Sequence, residues 1–167
     1  KVYPVTVVNL LGKYGDFETD SDSDGIADGW LKNYPYMFHD IASDRASFGN
    51  KSQHGWVAAN SGEYDGFTFA PSISFNGTYF FSIYTYLSAS ASQDKLYIPG
   101  GSGQWPDLSG GSATNRFIRH YATFTSTNGN GISVYYAIAD TSVRFDIWLD
   151  GAMLVNLTRM GVLPPPL

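Results

Sequence analysis

Cysteine is absent from this chain of 167 residues, so a disulfide, a thiolate nucleophile and a cysteine-ligated zinc are all excluded. Charge is scarce too: Asp, Glu, Lys and Arg make up 15% of the residues, and the formal net charge is −5. The ten Lys and Arg form no cluster, which leaves no basic stripe to neutralise nucleic-acid phosphates. Glutamate occurs twice, at Glu18 and Glu63. A glycosidase sets two carboxylates across a cleft, and Glu18 is better spent on a metal. No apolar run approaches the ~20 residues of a membrane-spanning helix, and no signal-peptide pattern is visible. Phosphate-loop and nucleophile-elbow motifs are missing, and His39, His54 and His120 lie too far apart for zinc spacing. These absences predict a chain that is not an enzyme, binds no nucleic acid and inserts into no membrane.

What is present is aromatic, small and hydroxylated. Aromatics reach 16%, with 12 Tyr and 11 Phe, and there are 18 glycines. This is a β composition, because aromatic and hydroxyl side chains suit a pleated surface. No helical period is visible. Short alternating runs separated by Gly, Asn, Ser and Asp occur at the spacing of a sandwich or barrel. Strands are expected at residues 5–11, 55–59, 67–70, 78–88, 116–125, 131–139, 143–149 and 152–157. Asp150-Gly151 is expected to be a turn, and residues 88–113 a long Gly/Ser loop. Alternation sorts residues 78–88 into two faces: Tyr79, Phe81, Ile83 and Leu87 on one, Phe80, Ser82, Tyr84 and Tyr86 on the other. In residues 143–149 it separates Phe145, Ile147 and Leu149 from Arg144, Asp146 and Trp148. One domain is expected over residues 1–160. The proline run in residues 161–167 reads as an extended linker, and the chain as one module of a longer protein.

The charge that exists is concentrated. Residues 16–28 hold six of the fifteen acidic side chains. Within them Asp20, Asp22 and Asp24 alternate with serines before Gly25, the Ile26 carbonyl follows, and Asp28 completes the run. Hard cations such as calcium take six to eight oxygens with a glycine at the bend, at this spacing. The position that should carry a closing bidentate glutamate is Leu31, which removes the helix–loop–helix reading. A free-standing calcium loop remains, and beside it a solvated acidic turn with Asp28 as cap. Trp30 is expected to anchor the core, and the tyrosine-rich residues 33–38 to be structural.

Several motifs in order along the chain carry a resemblance. Asn9-Leu10-Leu11, Gly15-Asp16-Phe17-Glu18, Gly29-Trp30, residues 48–53 (FGNKSQ), 116–125 and 145–154 (FDIWLDGAML) resemble the jelly-roll carbohydrate-binding modules of the family 4/9/22 type. The resemblance implies an all-β jelly-roll sandwich of two antiparallel sheets. It also implies a structural calcium held by Glu18, the Asn50/Lys51 neighbourhood and Asp150, where Gly151 replaces the second Asp of the usual pair. It implies a polysaccharide or cell-surface glycan as partner, recognised through an aromatic face, and an extracellular or virion-associated setting. Residues 153–158 resemble jelly rolls of phage tail and baseplate proteins, so an assembly or host-attachment domain is the alternative. Sugars are held by aromatic platforms with polar groups at their edges. The expected ligand-binding residues are Tyr84, Tyr86, Tyr135, Tyr121, Arg119, Trp105 and Trp56, with Tyr64 beside them.

Overall fold

The computed structural model describes residues 7–70, 77–97, 114–126 and 132–160, with the backbone alone for residues 92–97 and 126. Nine strands are present there: β1 (Trp30–Lys32), β2 (Phe38–Ala42), β3 (Ser52–Val57), β4 (Tyr64–Phe69), β5 (Gly77–Leu87), β6 (Ala91–Tyr97), β7 (Ile118–Ser126), β8 (Ile132–Ile138) and β9 (Phe145–Asn156). A single 3-10 turn, Gly12–Gly15, is the only helical element among the described residues. The strands form two antiparallel sheets, ordered β1-β4-β8-β6 and β2-β3-β9-β5-β7. From β4 onward each strand lies in the sheet opposite its predecessor. The expected sandwich is therefore built by a chain that repeatedly crosses between its layers.

The period-two pattern decides which side chains meet. Tyr79, Phe81, Ile83, Phe145, Ile147 and Leu149 from the larger sheet pack against Phe67, Phe69, Ile132, Val134 and Tyr136 from the smaller. All are 4% exposed or less. Each such side chain contributes about 1.5–3 kcal/mol by leaving water. The layers approach closely at Gly55, where a Cβ would lie 2.8 Å from the Phe67 ring. Trp30 is the core anchor expected of it, packing on Phe17 and Phe69 while its Nε1 donates to the Tyr14 carbonyl at 2.8 Å.

The structure corrects four local expectations. Residues 7–11 are irregular and turn rather than strand, pinned to β9 by a bond from Leu10 N to Leu154 O and by the Asn9 side chain. The expected long loop at 88–113 contains β6 (Ala91–Tyr97), while Trp105 lies outside the described residues. The short runs Trp30–Lys32 and Phe38–Ala42 are strands that no alternation announced. Asp150-Gly151 is not a turn but a bulge inside one twelve-residue strand. Opposite β5, Ser82 pairs with Met153 and Tyr84 with Asp150, so two residues of β9 face Ile83. Gly151 takes φ +57°, which favours glycine. The extra residue shifts the buried phase from Ile147 and Leu149 to Ala152 and Leu154. Residues 153–158 include the rest of that strand.

Candidate functional site

The outward face of the five-stranded sheet carries an unbroken run of rings. Register brings Phe38 of β2 opposite Trp56 of β3, His54 of β3 opposite Trp148 of β9, and Trp148 opposite Tyr86 of β5. Phe38 and Trp56 stack at 5.5 Å between centroids, Trp56 and His54 at 4.9 Å, and His54 and Trp148 at 4.3 Å, with planes within 23°. Tyr86 meets Trp148 edge-on at 5.2 Å. Two guanidinium groups lie on these rings: Arg144 is 4.9 Å from Trp56, and Arg45 is 4.4 Å from Trp148 and 5.0 Å from Tyr86. Such contacts are favourable because the ring face is electron-rich. Beyond Tyr86 the same face continues through Tyr84, with Phe48 edge-on at 5.0 Å, to Arg119 and the half-exposed Tyr121 on β7.

Charged groups hold the ring run in place. His54 Nδ1 bonds Asp40 Oδ1 and its Nε2 bonds Asp146 Oδ1, both at 2.9 Å. Arg144 Nε meets both Asp146 oxygens, at 3.0 and 2.9 Å. Burial opposes ionisation of Asp146, yet the bonds from His54 and Arg144 together outweigh it and hold the carboxyl below its usual range. Asp150, fully buried, behaves in the opposite way. Desolvation pushes its pKa up, and nearby Glu18 adds to that, although three backbone N–H groups oppose the shift. Those bonds, from Ser47, Phe48 and Gly151 at 2.6, 2.7 and 2.7 Å, tie residues 45–51 to the sheet.

The acidic loop lies at another place on the sandwich. One carboxylate oxygen each from Asp20, Asp22 and Asp24 falls within 4.8 Å of the others. Local bonds shape the bend: Asp20 Oδ2 accepts from Gly25 N at 3.0 Å and Asp24 Oδ1 from Ile26 N at 2.8 Å. Asp28 is engaged with Ser21, accepting from its N and Oγ at 2.8 and 2.9 Å, and the Ser21 N–H is the main cause of its lowered pKa. A cavity of about 490 Å³ runs between this loop, Lys13-Tyr14 and the start of β1. The buried Gln53 side chain anchors the loop, its Oε1 accepting from Ala27 N at 2.7 Å while Nε2 donates to Gly25 O and Asp40 O, each at 3.1 Å.

Glu18 and Lys51 come together as expected, but through hydrogen bonds. Glu18 Oε1 accepts from Asn50 N and Lys51 N at 2.8 and 3.0 Å, and Lys51 Nζ donates to Glu18 O at 3.2 Å. Among the described residues, the carboxylate oxygens grouped as a hard cation would need them are those of Asp20, Asp22 and Asp24.

The expected ligand set divides between the two layers. Trp56, Tyr84, Tyr86, Arg119 and Tyr121 share the outward face of the larger sheet. Tyr135 and Tyr64 lie on the smaller sheet, edge-on at 5.9 Å. There Tyr34 stacks on both Tyr36 and Tyr64, and burial followed by the neighbouring phenols raises the Tyr34 pKa to about 12. Phe38, Asp40, Arg45, His54, Asp146 and Trp148 were not expected in the site. For Asp146 and Trp148 a signal existed, since alternation already sets them on the face away from the core.

No protein-family model matches the chain, and no curated protein does. Solved structures share its fold. The CBM22-1 xylan-binding domain from Paenibacillus barcinonensis Xyn10C matches with a TM-score of 0.57 at 14% identity, over 80% of this chain and 89% of that one. TmCBM61 in complex with beta-1,4-galactotriose gives 0.55 at 14% identity, over 89% of this chain and 99% of that one. Arabinose-bound MgGH51 α-L-arabinofuranosidase gives 0.60 at 15% identity, over 89% of this chain but 28% of that one. The chain thus has the jelly-roll sandwich fold found in carbohydrate-binding modules.

Proposed function

We propose that this chain is a non-catalytic carbohydrate-binding module that lays a glycan along the outward face of the five-stranded sheet. One observation carries the reading: rings from four adjacent strands line up across that face, with guanidinium groups lying on them and carboxylates beside them. Sugars offer apolar C–H faces and rims of hydroxyls, the two chemistries this surface supplies side by side. The xylan-binding and galactotriose-bound neighbours support the same ligand class. The arabinofuranosidase, in which the matched region is a minor part, supports a module appended to a larger protein. In calorimetry against a panel of polysaccharides, Trp56→Ala weakens binding at least about tenfold, as expected for a central aromatic contact. Absence of binding across the panel at millimolar oligosaccharide would sink the reading.

Calcium in the acidic loop is the second part of the proposal. Asp20, Asp22 and Asp24 supply the carboxylates, with the Ile26 carbonyl and Asp28 as further oxygens, and the ion steadies the bend against mutual repulsion. A cation bound only to the folded chain stabilises it by about 2.7 kcal/mol at a hundredfold excess over Kd. Melting temperature is therefore expected to rise with calcium and fall with chelator, and Asp22→Ala should abolish the difference. Identical melting curves with calcium and with chelator would leave the loop as a solvated turn.

A further inference from the structure

We infer that the β5/β7 end of the outward face reads a carboxylate, so that the ligand is a mainly neutral glycan carrying an occasional uronic acid; this rests on the glycan reading above. Three arginines lie on or beside this face, and two are neutralised. Arg144 forks onto Asp146, and Arg45 pairs with Asp44 while covering Trp148. Arg119 differs. It is exposed, its Nη2 donates to Ser82 Oγ at 3.1 Å, and its guanidinium lies 5.9 Å from the Phe80 ring centre. Among the described residues no carboxylate comes within ion-pair distance of it. Across β5 the next carboxylate on the face is Asp150, which is fully buried with both oxygens already bonded.

A guanidinium has five N–H donors in a planar fork that matches a carboxylate. One of the five is engaged here, which leaves the fork to a ligand. Tyr84, paired with Arg119 across the strands, and Tyr121 supply ring surface for the sugar that bears the acid. The other end of the face offers no second open fork: Arg45 pairs with Asp44 and Arg144 with Asp146, so successive acids of a uniform polyanion would find no further partner there. One acidic branch on a neutral backbone satisfies both ends.

The test uses calorimetry with matched pairs of β-1,4-linked hexasaccharides of xylose, glucose or galactose, each neutral or carrying one glucuronic acid, plus one sulfated counterpart. The uronate-bearing member of at least one pair should bind roughly tenfold tighter than its neutral partner, the scale of one charged hydrogen-bonded pair. Arg119→Gln should remove that advantage, so that the two members of each pair bind alike. Arg119→Lys, which keeps the charge without the fork, should restore only part of it. Equal affinities within every pair, or an advantage that survives Arg119→Gln, would overturn the inference and leave the glycan reading standing. Tighter binding of the sulfated form would replace a carboxylate with a tetrahedral anion and overturn it equally. No binding of any member would remove both.

Discussion

Asp65→Asn makes this protein more stable at pH 7, by about 2 kcal/mol, and changes its stability little near pH 3.5. Asp65 stands on β4 facing inward, where a Cβ on Gly55 of the opposite sheet would be 3.1 Å from its Oδ1. It is 0% exposed, and neither carboxylate oxygen has a hydrogen-bond partner. The nearby Gly66 N–H points at Met37 Sδ, 3.4 Å away. Burial pushes the Asp65 pKa well above its ordinary value, the Gly66 N–H opposes this only in part, and the negative charge of Asp146 adds to it. The sign follows from linkage. The unfolded chain releases this proton near pH 3.9 and the folded chain holds it, so stability falls as pH rises from there towards the folded pKa. Each pH unit inside that window removes about 1.4 kcal/mol. Asparagine has the same shape and no proton to lose. Urea unfolding of both proteins at pH 3.5 and 7 isolates the effect, because the lowered carboxyls Asp28, Asp140 and Asp146 act in acid in the variant and the parent alike. A difference that does not grow with pH would mean that Asp65 is not the strained acid described.

Gln53→Leu has the opposite sign and is expected to cost about 3 kcal/mol, lowering the melting temperature by roughly 6–12 °C. Gln53 is 0% exposed on β3, and its amide satisfies Ala27 N, Gly25 O and Asp40 O together. Leucine fills a similar volume but leaves all three backbone groups without this partner. A buried polar group so stranded costs about 1–3 kcal/mol, and water at the loop margin recovers part of it. The same change releases the acidic loop from the sheet, so calcium affinity should fall with stability. A loss below about 1 kcal/mol in thermal unfolding would show that the loop holds its shape without Gln53.

The two faces of β5 and β8 are legible in the sequence, because neighbouring side chains of a strand point to opposite sides whatever the strand packs against. The hidden elements are hidden for physical reasons. Three residues at Trp30–Lys32 are too few to show a period, and Gly151 imitates a turn because a bulge and a turn both use a residue with positive φ. The ligand-binding candidates were legible as residue types but not as neighbours. Tyr84 and Tyr135 sit on outward positions of their strands, yet those strands lie in different sheets.

By itself the sequence determined a cysteine-free β-sandwich with aromatic outward positions and an acidic bend. Strand period, turn residues and local Asp-to-N–H bonds act within a few residues of one another. Tertiary structure decided everything that depends on register between distant strands. Pairing of β3 with β9 sets His54 against Trp148 and Asp146, 92 residues away. Closure of the layers traps Asp65 without a partner. The order β9-β5-β7 leaves Arg119 exposed beside Tyr84. Local pattern says which way each side chain points, and only the packing of the sheets says what it meets there.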